Sequence, residues 1–194
     1  MEQKTEISKN QNSIQLPKHS FTTSCFEWIE ALIPALIVIL ILFTFLFRVI
    51  TIDGPSMQPN LHNSDKVLVS CFDRHLSRGD IVVVDGKGTN LGKIIVKRVI
   101  ATEGQTVNID FQTGVVSVDG VALDESAYIE NGITKDQGDV SFPQKVPAGH
   151  VFVLGDNRVV SEDGRFKEVG MIDQRYIIGK VQFMIAPISK FGKL

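Results

Sequence analysis

The hydrophobic positions of the chain form one long apolar run followed by a series of short ones. Residues 31–47, ALIPALIVILILFTFLF, are 17 consecutive positions without a charge. As a helix at about 1.5 Å per residue, this run covers roughly 26 Å, close to the hydrocarbon thickness of a bilayer. A buried core helix would keep a polar stripe, which this run lacks, so we predict a transmembrane anchor over residues 31–50.

The residues before the anchor are polar, and we expect residues 1–30 to form a polar tail. A cleaved export signal is the alternative, but RVITIDG follows the run instead of a small-x-small cleavage site. Basic residues before the run are Lys4, Lys9 and Lys18, whereas Arg48 is the main one close to its other end. This bias predicts a single-pass plasma-membrane protein with a cytoplasmic N-terminus and an extracytoplasmic domain over residues 51–194.

Beyond the anchor, short runs rich in Val and Ile are separated by turn residues, which is typical of β-strands. The predicted strands are 66–71, 80–84, 93–101, 106–110, 150–156 and 176–186. Asp119 and Gly120 lie between apolar flanks and indicate a hairpin within residues 115–123, because Gly tolerates the positive φ of such turns. We therefore predict a mostly β domain with a folded or barrel-like sheet, interrupted by a polar, variable insertion at about 124–147.

Composition narrows the function classes. The 194 residues have room for one ordinary domain plus an appendage, and the net charge of -2 gives no reason to expect a nucleic-acid partner. The histidines are scattered, and no Cys/His spacing matches a zinc site. They are His19, His62, His75 and His150. We expect neither a metal nor a cofactor.

Three polar stretches are candidates for chemistry, and the first is GPSMQP at residues 54–59. Gly54 and Pro55 favour a bend that exposes both the hydroxyl and the backbone N–H of Ser56. A serine hydroxyl needs a base to act as a nucleophile. Taken alone, this stretch favours a simple turn that follows the anchor over a nucleophile.

The second stretch is KIIVKRVIA at residues 93–101. Strand alternation places Lys97 on one face with Ile95 and Val99, among aliphatic side chains. Burial disfavours the ammonium form, lowers the pKa of the lysine and makes its amine usable as a base, whereas Arg98 stays charged. The alternative is that Lys97 is a solvated charge on an edge strand.

The third stretch is GDNRVVSEDGR at residues 155–165, which follows an apolar strand. Its alternating Asp and Arg residues fit either a surface loop with local ion pairs or a rigid polar network that positions a neighbouring lysine. A triad built from Ser56 with His62 or His150 also remains open, since triads are recognised by geometry.

The anchor, GPSMQPNL, KRVIATEGQTV and GDNRVVSEDGR, in this order, resemble the type I signal peptidases, specifically the single-span Gram-positive members. The resemblance runs from the anchor to the C-terminus, interrupted around 124–147. It implies a signal-peptidase-like β fold and a membrane-bound serine endopeptidase without a cofactor. Such an enzyme removes signal peptides from exported preproteins after an Ala-x-Ala-like motif.

The resemblance also implies roles for individual residues. Ser56 matches the nucleophile of the family, Lys97 its general base, and Ser161 a serine that hydrogen-bonds the lysine amine. The supporting positions are Asp163 and Arg165, the loop residues Gly155, Asp156, Asn157 and Arg158, and Met57 and Pro59 of the nucleophile motif.

Two positions depart from the family pattern. Gly164 stands where the last motif commonly has a serine, which leaves the chain locally freer. Gly54 stands where some members carry a serine whose hydroxyl helps to hold the oxyanion. Without that hydroxyl, the N–H of Ser56 must provide more of the oxyanion stabilisation.

The expected partners are the signal peptides of preproteins and the lipid bilayer, with the chain acting as a monomer. An extended signal peptide should pair with a strand edge beside Ser56. Two alternatives remain at this stage. One is a self-cleaving Ser-Lys protease of the repressor type, and the other is a non-enzymatic, membrane-tethered β module that binds a partner through a sheet edge.

Overall fold

The computed structural model describes residues 21–129 and 133–193, so the first 20 residues of the predicted tail lie outside the described part. The chain divides into two units, residues 1–42 and residues 43–194.

The apolar run forms a helix, α1, over Phe21–Leu46. Its segment Trp28–Leu46 is long and apolar enough to cross a membrane, and none of it is buried in the structure. The helix begins ten residues before the predicted anchor and ends before residues 47–50, which form a strand instead. The strand forms because these residues pair with a second strand, Lys66–Ser70, so that their backbone groups are satisfied by the sheet.

The rest of the chain is mostly strand, as predicted. The strands are β1 Phe47–Thr51, β2 Lys66–Ser70, β3 Ile81–Val84, β4 Ile95–Thr102, β5 Thr106–Asp110, β6 Val115–Val118, β7 Val121–Ala122, β8 Gln144–Lys145, β9 His150–Leu154, β10 Ile172–Asp173, β11 Ile177–Ala186 and β12 Gly192–Lys193. Short 3-10 turns cover Gly86–Gly88, Gln174–Tyr176 and Ile188–Lys190. The predicted hairpin is present between β6 and β7, where both Asp119 and Gly120 have positive φ angles.

The strands form two antiparallel sheets. The larger sheet has the order β1-β2-β11-β3-β4-β9-β10, with β12 also paired to β11, and the smaller has the order β7-β6-β5-β8. Within the described residues, β1 and β10 are the two ends of the larger sheet, so it is a folded sheet and not a closed barrel. The predicted fold class, a mostly β domain with one N-terminal apolar helix, is confirmed.

The core consists of three apolar clusters. One lies under the turn that contains Ser56 and includes Ile52, Met57 and Leu61. A second packs β3 and β4 against β9. The third joins the two sheets through side chains such as Phe152 of β9 and Val107 of β5. The first cluster fixes both sides of the Ser56 turn, because Ile52 and Met57 are only 4% and 1% exposed.

Strand β4 lies inside the larger sheet, and Lys97 is only 3% exposed, which excludes the interpretation of Lys97 as a charge that reaches water. It pairs with β3 over Ile95–Arg98 and with β9 over Arg98–Thr102. In the part of the chain that the structure describes, residues 95–97 therefore have a strand on one side only, and their other backbone edge is unpaired. This short free edge lies beside the turn that carries Ser56.

Candidate active site

The three stretches predicted from the sequence meet at a cleft of about 540 Å³. Ser56 and Lys97 both line it. The lining comprises residues 50–57, Leu91, residues 93–97, Val160 and Glu162. The cleft thus joins the end of β1, the start of β4 and the loop at 155–165.

The turn at residues 53–58 presents Ser56 at the cleft, where the serine is half-buried. Gly54 has a φ of +93°, a backbone conformation that residues other than glycine rarely adopt. Its N–H donates to Asn63 Oδ1 at 2.9 Å. The carbonyl of Ser56 accepts a hydrogen bond from the Asn157 N–H at 3.0 Å. The N–H of Ser56 has no acceptor among the described residues, so it is free to donate into the cleft.

Lys97 is almost fully buried, with 3% of the residue exposed. Its neighbours on the strand face, Ile95 and Val99, are also buried, as the alternation predicted. Burial lowers the pKa of Lys97 to about 8, while the nearby Asp163 and Glu162 carboxylates oppose this shift. The amine makes no hydrogen bond with any described residue. A substantial fraction of the amine is therefore neutral near pH 8.

Gly155 joins the loop at 155–165 to the Ser56 turn by close packing. A side chain here would place its Cβ 2.1 Å from Ser161 Oγ and 2.6 Å from the Ser56 carbonyl oxygen. The Gly155 N–H donates to Asp163 Oδ2 at 2.9 Å, which fixes the start of the loop. Only glycine fits between these two groups.

Ser161 differs from what the resemblance implied. Its hydroxyl is buried beside Gly155, but within the described part of the chain it has no hydrogen-bond partner. The hydrogen bond expected from Ser161 to the amine of Lys97 is thus not formed in this structure. A buried hydroxyl without a partner is uncommon.

Asp163 and Arg165 form a fully buried ion pair. Arg165 Nε donates to Asp163 Oδ1 at 2.8 Å, and a second guanidinium nitrogen donates to Oδ2 at 3.0 Å. The same guanidinium donates to the carbonyls of Arg158, Ser161 and Asp136. A bidentate pair with these additional acceptors holds the loop in one conformation.

Asp156 is buried and pairs with Arg98, the neighbour of Lys97 on β4. Arg98 Nε and Nη2 donate to the two Asp156 oxygens at 2.7 and 2.8 Å. Asn60, four residues after Ser56, also donates to Asp156 at 2.8 Å. Asp156 thereby connects the strand of Lys97 with the turn of Ser56.

Arg158 is held by the segment predicted as a variable insertion, and no pattern in the sequence predicted that this segment contributes to the site. Its guanidinium donates to both Glu125 oxygens, at 3.0 and 2.6 Å, and to Thr134 Oγ1. Tyr128 donates to Glu125 at 2.7 Å, and its ring lies 4.4 Å from the Arg98 guanidinium. Glu125 and Thr134 are buried, so this segment supports the loop at 155–165.

The two departures from the family pattern have different surroundings. A Cβ at Gly164 would lie 2.6 Å from the Phe152 ring and 2.8 Å from the Val153 carbonyl, so the position is tightly packed and not freer. At Gly54 a Cβ would meet nothing within 4 Å, although its φ is positive. Gly164 thus accommodates the Phe152 ring.

The structure does not support a histidine triad. Of the described histidines, His62, His75 and His150, none lines the cleft. His62 Nδ1 instead lies 3.1 Å from the Lys190 amine, and His150 Nδ1 lies 2.9 Å from the Ala148 carbonyl oxygen. Within the described residues, no group of three His, Cys, Asp or Glu side chains is arranged to hold a metal ion.

Comparison with known proteins defines the class of the chain as a peptidase, because a family model described as "Signal peptidase, peptidase S26" matches residues 25–186. The chain is 36% identical over 180 residues to "Signal peptidase I" of Bacillus licheniformis, an alignment covering 88% of this chain and 93% of that protein. It is 32% identical over 190 residues to "Signal peptidase I T" of Bacillus subtilis, covering 94% and 95%. A crystal structure of a signal peptidase I from Enterococcus faecalis has 27% identity and a TM-score of 0.43, covering 55% of this chain and 96% of that one.

The chain belongs to the signal peptidase family S26.

Proposed function

We propose that this protein is a membrane-bound serine endopeptidase in which Ser56 is the nucleophile and Lys97 the general base. It removes signal peptides from exported preproteins after an Ala-x-Ala-like motif. The observation that carries the proposal is that Ser56 and a buried lysine with a pKa lowered to about 8 line the same cleft. Family membership supplies the substrate class.

In the proposed reaction, the neutral amine of Lys97 removes the proton from Ser56 Oγ, and the oxygen attacks the scissile carbonyl carbon. The Ser56 N–H, which has no acceptor among the described residues, donates to the developing oxyanion. The Lys97 ammonium then protonates the amine of the departing mature chain, leaving an acyl-enzyme. Water, deprotonated by Lys97, hydrolyses the ester and restores Ser56.

The free strand edges beside Ser56 suit an extended substrate. Among the described residues, β1 pairs with β2 alone and residues 95–97 pair with β3 alone, while parts of both segments line the cleft. A signal peptide lying between them would complete backbone hydrogen bonds on either side. Alternate side chains of an extended peptide point the same way, which fits a motif with small residues at every second position.

The cleft is also lined by exposed apolar side chains, as an apolar substrate requires. Ile94 and Val160 are 57% and 52% exposed, although both are aliphatic. Their presence at the entrance lowers the cost of binding an apolar peptide, because the peptide removes them from water.

We further propose that α1 spans the plasma membrane with the N-terminus in the cytoplasm, and that the protein acts as a monomer. The three lysines of the N-terminal tail support this orientation. An anchored domain meets its substrates at the membrane surface, where translocated chains emerge. Tethering raises the effective concentration of the site without any new contact.

Replacement of Ser56 or Lys97 tests the proposal. Ser56→Ala and Lys97→Ala should each reduce cleavage of a preprotein in detergent by about a thousandfold or more. Ser117→Ala and Lys145→Ala are matched controls outside the cleft and should cleave at the wild-type rate. Wild-type cleavage by either cleft variant would disprove the assigned roles.

A further inference from the structure

A second cleft, of about 230 Å³, lies on the same domain and has no role in the proposed reaction. Three arginines from separate parts of the chain line it: Arg48 of β1, Arg74 of the loop after β2, and Arg175 of a 3-10 turn. Its other lining residues are Cys71, Asp85, Tyr176, Ile177 and Ile178. We define these residues as the arginine cleft.

Two of the three guanidinium groups have no anionic partner among the residues that the structure describes. Arg175 is neutralised by Asp173, to which it donates hydrogen bonds of 2.6 to 3.1 Å. Arg48 and Arg74 are exposed, and their side chains make no ion pair or hydrogen bond with any described residue. Asp85 lines the same cleft, so the two free guanidinium groups leave an excess of one positive charge there. The arginine cleft is therefore suited to an anion.

Arg48 follows the end of α1 closely along the chain. Arg48 is the second residue after Leu46, where α1 ends, and at about 3.3 Å per strand residue it lies roughly 7 Å beyond the helix. The headgroup layer on each side of a bilayer is about 5 to 8 Å thick. If α1 spans the membrane, Arg48 lies at the level of the lipid phosphates.

The surroundings of the cleft favour an amphiphilic ligand over a free ion. An adjoining cleft of about 170 Å³ shares two arginines and two isoleucines with the arginine cleft and adds the apolar side chain of Leu76. It also adds Gln174, Gly179 and Asp73, whose carboxylate is neutralised by Lys180. Next to Cys71, Phe72 is 58% exposed and packs edge-on against Phe47 with 5.7 Å between ring centroids. Exposed aromatic side chains near the end of a spanning helix are typical of membrane interfaces.

We propose that the arginine cleft binds the phosphate of an anionic phospholipid headgroup. The free guanidinium groups of Arg48 and Arg74 donate to the phosphate oxygens, for which the planar fork of arginine is well suited. The neighbouring apolar surface contacts the glycerol and the first acyl carbons. The inference rests on α1 being the membrane anchor, but it does not depend on Ser56 or Lys97.

The test uses the full chain purified in detergent and incubated with equal amounts of dioleoyl phosphatidylglycerol and dioleoyl phosphatidylcholine. Native mass spectrometry then counts the adducts of each lipid. We expect phosphatidylglycerol to predominate, and each replacement, Arg48→Gln or Arg74→Gln, to weaken its binding about fivefold. Arg78→Gln removes an exposed arginine outside the cleft and should change nothing.

Several results would overturn the proposal. These are equal retention of the two lipids, undiminished phosphatidylglycerol binding in the Arg48→Gln and Arg74→Gln variants, or an equal loss in Arg78→Gln. Displacement of the lipid by millimolar inorganic phosphate would instead assign the cleft to a free anion. Cleavage of a detergent-solubilised preprotein at the wild-type rate shows that a variant is folded. If the Arg74→Gln variant shows no cleavage, the Arg74→Lys variant provides the test instead. This variant keeps the positive charge in the exposed loop and must retain most of the phosphatidylglycerol binding.

Discussion

At the residue scale, the proposed chemistry depends on the burial of one amine. Lys97 has no hydrogen-bonding partner within the described residues, and its pKa falls to about 8 mainly because burial disfavours the charged form. Two exposed charges at the edge of the cleft modify this value in opposite directions. Glu162 raises the pKa of Lys97 and Lys93 lowers it, and the two side chains lie 3.5 Å apart.

The pH dependence of cleavage should follow the neutral fraction of Lys97. kcat/KM is expected to rise as the pH increases through about 8 and then level off, because only the neutral amine accepts the proton of Ser56. Glu162→Gln removes a charge that raises the pKa, so the rise should move to lower pH. Lys93→Gln should move it to higher pH. Both shifts should be a few tenths of a unit, since solvent screens exposed charges. Shifts in the same direction would contradict this electrostatic account.

Burial of Lys97 should also reduce stability. The pKa is lower in the folded state than in the unfolded state, so unfolding takes up a proton between about pH 8 and 10.5, and the full cost of burying the amine applies below pH 8. A shift from 10.5 to about 8 corresponds to a cost of about 3 kcal/mol at neutral pH, a cost that disappears as the pH rises towards 10.5.

Lys97→Met should therefore be inactive but more stable than the wild type at pH 7, by about 3 kcal/mol, with the difference shrinking between pH 8 and 10.5. Thermal or denaturant unfolding in detergent measures this difference. Lys66→Met, at an exposed position of β2, is the control and should leave stability nearly unchanged. A Lys97→Met protein less stable than the wild type at pH 7 would show that Lys97 is buried without this cost.

At the scale of elements, the loop at 155–165 is positioned by segments distant in sequence. Asp156 joins it to β4, Asn157 joins it to the Ser56 turn, and Arg158 joins it to the segment around Glu125. The sequence identified the loop because its charges cluster in eleven positions. It did not identify Glu125, whose partner is 33 residues away, because a long-range pair leaves no local pattern. Strand β1 was not predicted either, because its apolar residues directly continue the apolar run of the anchor.

Glu125→Ala should destabilise the domain by about 3 to 5 kcal/mol, because it leaves the Arg158 guanidinium buried without its carboxylate. Activity should fall together with stability, since Arg158 Nε also holds the Gly155 carbonyl at 2.9 Å. Glu168→Ala changes an exposed carboxylate and serves as the control. Unfolding in denaturant provides the measurement. Equal stabilities of the two variants would show that Glu125 does not stabilise the domain through Arg158.

Gly155→Ala tests the contact between the loop and the Ser56 turn. The added Cβ would lie 2.6 Å from the Ser56 carbonyl oxygen, so the turn or the loop must move. Cleavage should fall by about a hundredfold, in line with the effect of a displacement near 1 Å at a catalytic group. Gly192→Ala places a Cβ where nothing lies within 4 Å and should cleave normally. Unchanged cleavage by Gly155→Ala would mean that this packing does not position Ser56.

At the scale of the whole molecule, the sequence predicted the order of the helix and strands along the chain better than the pairing of the strands in the sheets. Alternation of apolar positions located most strands, and one uncharged run located α1, since both depend on local periodicity. The pairing order of the sheets, and hence the unpaired edge at residues 95–97, could not be read from it. The arginine cleft could not be predicted from the sequence either, because Arg48, Arg74 and Arg175 come together only through the pairing of β1, β2 and β11.

The proposal that Ser56 is a nucleophile activated by Lys97 is tested most directly by covalent labelling with a serine-directed acylating inhibitor. Intact-protein mass spectrometry should show one acyl group on the wild-type chain, located to Ser56 by peptide mapping, and almost none on Lys97→Ala. Labelling should become faster as the pH rises through about 8. A protein that stays unlabelled, carries the label on another serine, or is labelled equally fast without Lys97 would contradict the proposal, and an unlabelled one would favour a binding module.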